Sequence, residues 1–189
     1  KNYNFRKNDI FIIDTLGKDF GFIKKLNSIN IDNKISFDEL NINNFRSGII
    51  INGILFAKKK LKKKNKVRIY QGEKYIILNK NYKKKIFKQR NKNKLKAIVS
   101  SGGADYKNFL YKISKILLKL NCFDKISIVV GAAVKKNNLK FKLNSKKIDL
   151  KYGYNDLSKL IRKNDFCICT GGTIMFEAIA IGKKPLVYE

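Results

Sequence analysis

Short continuous apolar runs alternate along this chain with longer stretches whose apolar residues recur every three or four positions. The first kind reads as strands of a parallel sheet, the second as helices packed on its faces. In the first half, Asp9-Ile10-Phe11-Ile12-Ile13-Asp14 is an apolar run closed by an acid and predicts a buried strand. Thr15-Leu16-Gly17 follows as a turn, and Phe20, Ile23 and Leu26 at helical spacing predict a helix. Lys34–Phe37, Gly48–Asn52, Val67–Tyr70 and Tyr75–Leu78 read as further strands, the last two flanking a turn at Gln71-Gly72.

The second half is more regular. Leu95–Ser100 predicts a strand, Ser101-Gly102-Gly103-Ala104-Asp105 a glycine loop, and Phe109 to Leu120 an amphipathic helix. Ile126–Gly131 is the next strand and Lys147–Leu150 a weaker one. Asp156–Ile161 begins a short helix, with Asn155 or Asp156 as its N-cap. Asp165–Cys169 is a strand, Thr170–Thr173 a loop, and Ile174–Ile181 a helix ended by Gly182 with Pro185 close behind. Strand and helix alternating in this way predict an α/β protein with open, mostly parallel sheets covered on both faces. The basic stretch from Asn79 to Lys94 interrupts the pattern. It predicts a domain boundary, with a first domain over 1–92 and a second over 93–189.

Two Gly-Gly pairs, Gly102-Gly103 and Gly171-Gly172, each fall between a strand and a helix. In such sheets ligands bind beyond the carboxyl ends of the strands. A glycine turn there lets backbone approach the ligand, and the following helix offers unpaired N–H groups and the positive end of its dipole. That combination holds a diphosphate without side-chain charge. Ser101, Thr170 and Thr173 add hydroxyls, and Glu177, one turn beyond Thr173, can accept two hydrogen bonds from a vicinal diol such as a ribose. No Gly-Lys-Ser/Thr follows either pair, which excludes a Walker loop, and there is no G-x-G-x-x-G of a dinucleotide site.

Composition narrows the chemistry. With no His in 189 residues, no His base, Ser-His-Asp triad or His-ligated metal can be built from them. The scattered acids suggest no metal site, and no cofactor is expected. The formal net charge of +29 invites a nucleic-acid reading. Yet 38 of the 43 basic residues are Lys and five are Arg, whereas Arg is the better fork for phosphates and base edges. The 27 Ile, 22 Asn and 13 Phe share A/T-rich codons with Lys, so the charge reads as codon bias drifting the surface toward Lys. The dense blocks, Lys58–Lys66 and Lys80–Lys96, read as a solvated loop and a linker. Specific nucleic-acid binding is therefore not expected. Cys122, Cys167 and Cys169 carry no zinc spacing. Cys167 and Cys169 alternate on one strand face, where a disulfide is geometrically disfavoured. Free thiols fit a cytoplasmic protein, here expected to be a monomer. No apolar run approaches the roughly 18 residues of a membrane span.

Several of these segments, taken together, resemble the C-terminal half of GT-B-fold nucleotide-sugar enzymes. They are Lys147–Leu150, Asn155-Asp156-Leu157, Leu160-Ile161, Asn164–Thr173 with Glu177, and Gly182-Lys183-Lys184-Pro185. Within that group the chain is most similar to the UDP-sugar hydrolase of pseudaminic acid biosynthesis and to spore-coat polysaccharide relatives. The glycine loop at 101–105, Gly72–Leu78 and Ile12-Ile13-Asp14-Thr15 resemble further landmarks of that group, in the same order. The resemblance implies two Rossmann-like domains of GT-B type, the first truncated at its N-terminus and the second at its C-terminus. It implies that Gly102, Gly103, Ala104, Gly171, Gly172 and Thr173 surround the UDP diphosphate, and that Glu177 holds the ribose. Gly131 would end a strand lining the base pocket, and Asp14 would lie toward the sugar. Ala104 stands where the group has a hydroxyl residue, and Asn79 where it has a base. The group's catalytic His would precede Lys1, so no catalytic residue is assigned. The implied activity is release of UDP from a UDP-linked amino sugar by hydrolysis. The alternatives are a GT-B glycosyltransferase using a UDP-N-acetylhexosamine and, from another class, a Lys-rich nucleic-acid-binding module.

Overall fold

The structure is a computed structural model. It describes residues 6, 8–14, 20–29, 31, 33–37, 45, 47–53, 66–83, 94–105, 107–134 and 145–188. Two compact units divide the chain, Lys1–Ile77 and Leu78–Glu189. The expected turn at 15–17 and most of the Lys58–Lys66 block lie outside the described residues.

In the first unit four parallel strands stand in the order β1 (Phe11–Ile13), β2 (Lys34–Phe37), β3 (Gly48–Asn52) and β4 (Val67–Gln71). Helix α1 (Phe20–Ser28) follows β1 and places Leu26 in a core with Ile13, Phe45, Ile50 and Val67. Ile13, Ser36, Ile50 and Ile69 form one lateral row on that core side. The next row, Ile12, Ile35, Ile49 and Arg68, points the other way. Ile12 is 61% exposed. The expectation of a buried strand is corrected here: among the described residues β1 is the end strand of its sheet, and Ile12 points to the face away from the core. A second correction concerns Tyr75–Leu78, which forms no strand. Gly72, with φ 116°, turns the chain into a short 3-10 helix over Glu73–Tyr75, and 76–78 run on without a ladder. That run packs instead against Gly53, where a Cβ would come 2.8 Å from Ile76 Cα.

The second unit holds β5 (Leu95–Ser100), β6 (Phe123–Val130), β7 (Ile148–Tyr152), β8 (Phe166–Thr170) and β9 (Pro185–Tyr188). All pair in parallel, in the order β7-β6-β5-β8-β9. Helix α2 (Phe109–Lys119) links β5 to β6, α3 (Ser158–Lys163) precedes β8, and α4 (Thr173–Ile181) links β8 to β9. The period of two sorts the strands onto two cores. Ala97, Val99, Ile126 and Ile128 pack with Phe109, Leu110 and Leu117 of α2. Ile98, Cys167 and Cys169 pack with Ile161 of α3 and with Ile174, Ala178 and Ile181 of α4. Cys167 and Cys169 do share one face, and both thiols are free and buried. A hydrogen bond to Cys169 and burial push the Cys167 thiol up, so it stays protonated. Gly182 ends α4 in the left-handed region at φ 91°, as its position predicts.

Residues 78–83, read from sequence as the start of a linker, pack with the second unit. Asn79 Oδ1 accepts from Asn81 N at 3.0 Å and caps a 3-10 turn over Lys80–Tyr82, and Tyr82 is 3% exposed within the α3/α4 core.

Candidate functional site

The order of the second sheet locates the site. Beginning at β5 the chain lays strands to one side, β6 then β7, and returns to lay β8 and β9 on the other. The switch point lies between β5 and β8, where loops from the two strands diverge and leave a crevice. Both glycine pairs lie there. A cavity of about 640 Å³ opens beside them, lined by Ser101, Gly103 and Ala104 from the first loop and by Thr170 and Gly171 from the second.

The first loop is built to stay in place. Ser100, 1% exposed, accepts from Gly102 N at 3.2 Å through its hydroxyl, and Gly102 turns at φ 76°. The Gly103 carbonyl accepts from Ala133 N at 2.9 Å, tying the loop to the end of β6. Gly131 lies beneath. Any Cβ there would overlap the Gly102 and Gly103 carbonyl oxygens, so glycine is what lets the loop lie down. Gly131 thus supports the loop and is not part of the cavity lining. Asp105 Oδ1 accepts from Phe109 N at 2.8 Å and Leu110 N at 3.4 Å, which satisfies the start of α2.

The second loop differs. Gly172, at φ 123° and ψ −161°, is the N-cap of α4 and supplies no side-chain acceptor, so the first N–H groups of α4 keep their capacity for an anion. Gly171 and Thr173 are exposed beside it. In the first loop, Ser101 Oγ is buried without a hydrogen-bond partner. A buried hydroxyl left unpaired at a cavity wall is what a bound polar ligand would satisfy. Lys107 adds a cation to the lining.

Part of the lining is apolar. Phe109 and Tyr188 stack with ring centroids 5.3 Å apart, next to Ala104 and Ala133. Sequence reasoning missed this part. The two rings are 79 positions apart and meet only because α2 and β9 flank the same crevice. Ala104 lines the cavity but, as its side chain dictates, offers no donor.

Glu177 does not line the cavity. It lies half-buried on the flank of α4, with the hydroxyl of Tyr82 near it. Burial raises the Glu177 carboxyl above the usual range, the Tyr82 hydrogen bond counters it, and the charge of Asp156 adds to it. Asp156 is held below the usual range, chiefly by the N–H of Ser158, which donates at 2.8 Å. It also accepts from Asn81 Nδ2 at 2.8 Å. Burial and the neighbouring Glu177 push the Tyr82 phenol well up. No sequence signal marked Tyr82. Asp14 is exposed just past the end of β1 in the first unit. Among the described residues no cluster of three His, Cys, Asp or Glu could hold a metal, and no helix is long and apolar enough to cross a membrane.

No family model matches the chain. Two curated proteins are similar to it over nearly its whole length. The uncharacterized protein MJ1062 of Methanocaldococcus jannaschii is 31% identical, over 99% of this chain and 41% of that protein. The spore coat polysaccharide biosynthesis protein SpsG of Bacillus subtilis is 26% identical, over 96% of this chain and 56% of SpsG. The chain therefore spans about half the length of the curated relatives it matches.

Proposed function

We propose that the second unit binds the UDP moiety of a nucleotide sugar and that the protein hydrolyses the bond between an amino sugar and UDP. One observation carries this reading: two glycine loops converge on a single cavity at the switch point of a parallel sheet, where the α4 N-terminus is uncapped and the Ser101 hydroxyl unpaired. The similarity to SpsG, a polysaccharide biosynthesis protein by name, supports a role in supplying or consuming activated sugars.

In this reading the diphosphate rests on Gly103 and Gly171, with N–H groups of α4 and the hydroxyls of Ser101, Thr170 and Thr173 as donors. When the sugar–oxygen bond breaks, the electron pair stays on the phosphate oxygen. Fixed donors stabilise that growing charge without reorganising. Glu177, which lies off that cavity on the flank of α4, is the proposed acceptor for the ribose hydroxyls. No base for the attacking water is assigned among these residues. The same departure of UDP would serve transfer to an acceptor hydroxyl. Free sugar released from a UDP-linked acetamido sugar without any acceptor indicates hydrolysis, and turnover only with an acceptor indicates transfer.

Glu177→Ala is the direct test of the ribose assignment. It should weaken UDP binding by about 1–3 kcal/mol, the range for a lost charged hydrogen-bond partner. Unchanged affinity in calorimetry, with the fold intact, would remove Glu177 from the site.

A further inference from the structure

We infer that Lys107 is a specificity-determining residue that reads the charge on the outer phosphate held at this cavity, so that free UDP binds more tightly than UDP joined to a sugar. This rests on the reading that the cavity binds the diphosphate.

Most of the phosphate donors at the cavity are uncharged. Gly103 and Gly171 offer backbone, Ser101 and Thr170 hydroxyls, and the open start of α4 its N–H groups. Dipoles of this kind hold a phosphate of either charge. Two residues of the lining carry a full charge, Asp105 and Lys107. Asp105 is engaged at the start of α2, where its Oδ1 accepts from Phe109 N at 2.8 Å and Leu110 N at 3.4 Å. Lys107 is exposed in the turn between the first loop and α2, and no ion pair among the described residues engages it. Its ammonium rides on a flexible four-carbon stem and can follow a phosphate. Exposed charges more than about 8 Å away are largely screened at physiological salt. The excess charge of the chain therefore does not replace a lysine in the lining.

What changes charge at this place is the ligand. In sugar-linked UDP the outer phosphate is esterified and carries one negative charge. When the bond from the sugar carbon to the phosphate oxygen breaks, the electron pair stays on that oxygen. Water supplies the hydroxyl of the free sugar, and its other proton passes to solvent. The outer phosphate then carries a second charge above about pH 6, where phosphate monoesters lose their last proton. A cation beside it gains from that charge as it forms. One extra unit charge about 4 Å from an exposed cation is worth about 5-fold in affinity. Lys107 thereby favours the departure of UDP and makes UDP a product inhibitor.

Calorimetric titration with UDP and with the β-methyl ester of UDP, whose outer phosphate keeps one charge, tests this from about pH 5 to about pH 8. The titratable side chains of the lining are Asp105, Lys107 and Tyr188, and a change in any of them would affect both ligands. The native protein should bind UDP more tightly than the ester, with UDP affinity rising through about pH 6 and ester affinity level. Lys107→Gln should melt like the native protein, reduce the preference for UDP about 5-fold and flatten the rise. Lys107→Arg should keep both. Lys112→Gln removes an exposed lysine of α2 outside the lining and should change neither. The assignment is overturned if Lys107→Gln keeps the native preference and pH profile. It is equally overturned if Lys112→Gln loses them to the same extent, since net charge alone then accounts for the effect. If the native protein binds UDP and its ester alike at every pH, Lys107 reads no charge and the diphosphate reading stands. If the native protein binds neither ligand, the diphosphate reading fails and takes the role of Lys107 with it.

Discussion

What a methyl group would meet separates the glycines of the site. At Gly171 and Gly103 an added Cβ meets nothing within 4 Å, and neither backbone lies in the left-handed region. At Gly131 it would strike two carbonyl oxygens of the first loop. Gly171→Ala should therefore leave thermal stability within about 0.5 kcal/mol of native while reducing UDP affinity, because the methyl would enter the space given to the diphosphate. Gly131→Ala should cost roughly 1–3 kcal/mol of stability, as overpacking does, and bind UDP poorly as a consequence. Thermal unfolding and calorimetry on the same samples separate the two. Native UDP affinity in Gly171→Ala would place the diphosphate elsewhere. The glycine pairs themselves were legible, because glycine between a strand and a helix has a stated physical use. The division of labour among them was not, since it depends on which backbone lies above Gly131. Tyr82 carried no signal for the same reason. An aromatic residue in a lysine-rich stretch looks like filler until its ring is seen buried between α3 and α4.

Among the elements, α2 and α4 begin differently, and in the proposed reading that difference selects where an anion would go. The carboxylate of Asp105 already occupies the N-terminus of α2, whereas Gly172 leaves that of α4 open. Asp105→Ala should destabilise the protein by about 0.5–2 kcal/mol, the usual cost of a lost cap. Denaturant unfolding measures this. A stability unchanged from native would mean that the two N–H groups find water equally well. The strands of the second unit were the most legible part of the chain. The central strand β5 is a nearly unbroken apolar run, and its neighbours repeat that pattern. The first unit was less so. An apolar run such as Tyr75–Leu78 satisfies the strand pattern, yet Gly72 turns the chain into a 3-10 helix there and the run packs against Gly53 instead. The apolar run around Ile12 gave no sign of its place at an edge, because edge and centre differ in pairing and not in composition.

At the scale of the whole molecule the excess of positive charge competes with the cavity as a guide to function. A charge of +29 attracts any polyanion through counterion release, steeply dependent on salt and indifferent to the glycine loops. The cavity, in the reading proposed above, holds a small ligand chiefly through fixed N–H and hydroxyl donors, with Lys107 in its lining and Asp105 committed to the start of α2. Titration of the protein at physiological salt with UDP and, separately, with single-stranded RNA sets these against each other. A nucleotide-sugar site requires that UDP bind saturably, raise the melting temperature and survive added salt, with RNA binding that fades as salt increases. Specific, salt-resistant RNA binding, with no binding or stabilisation by UDP, would contradict it.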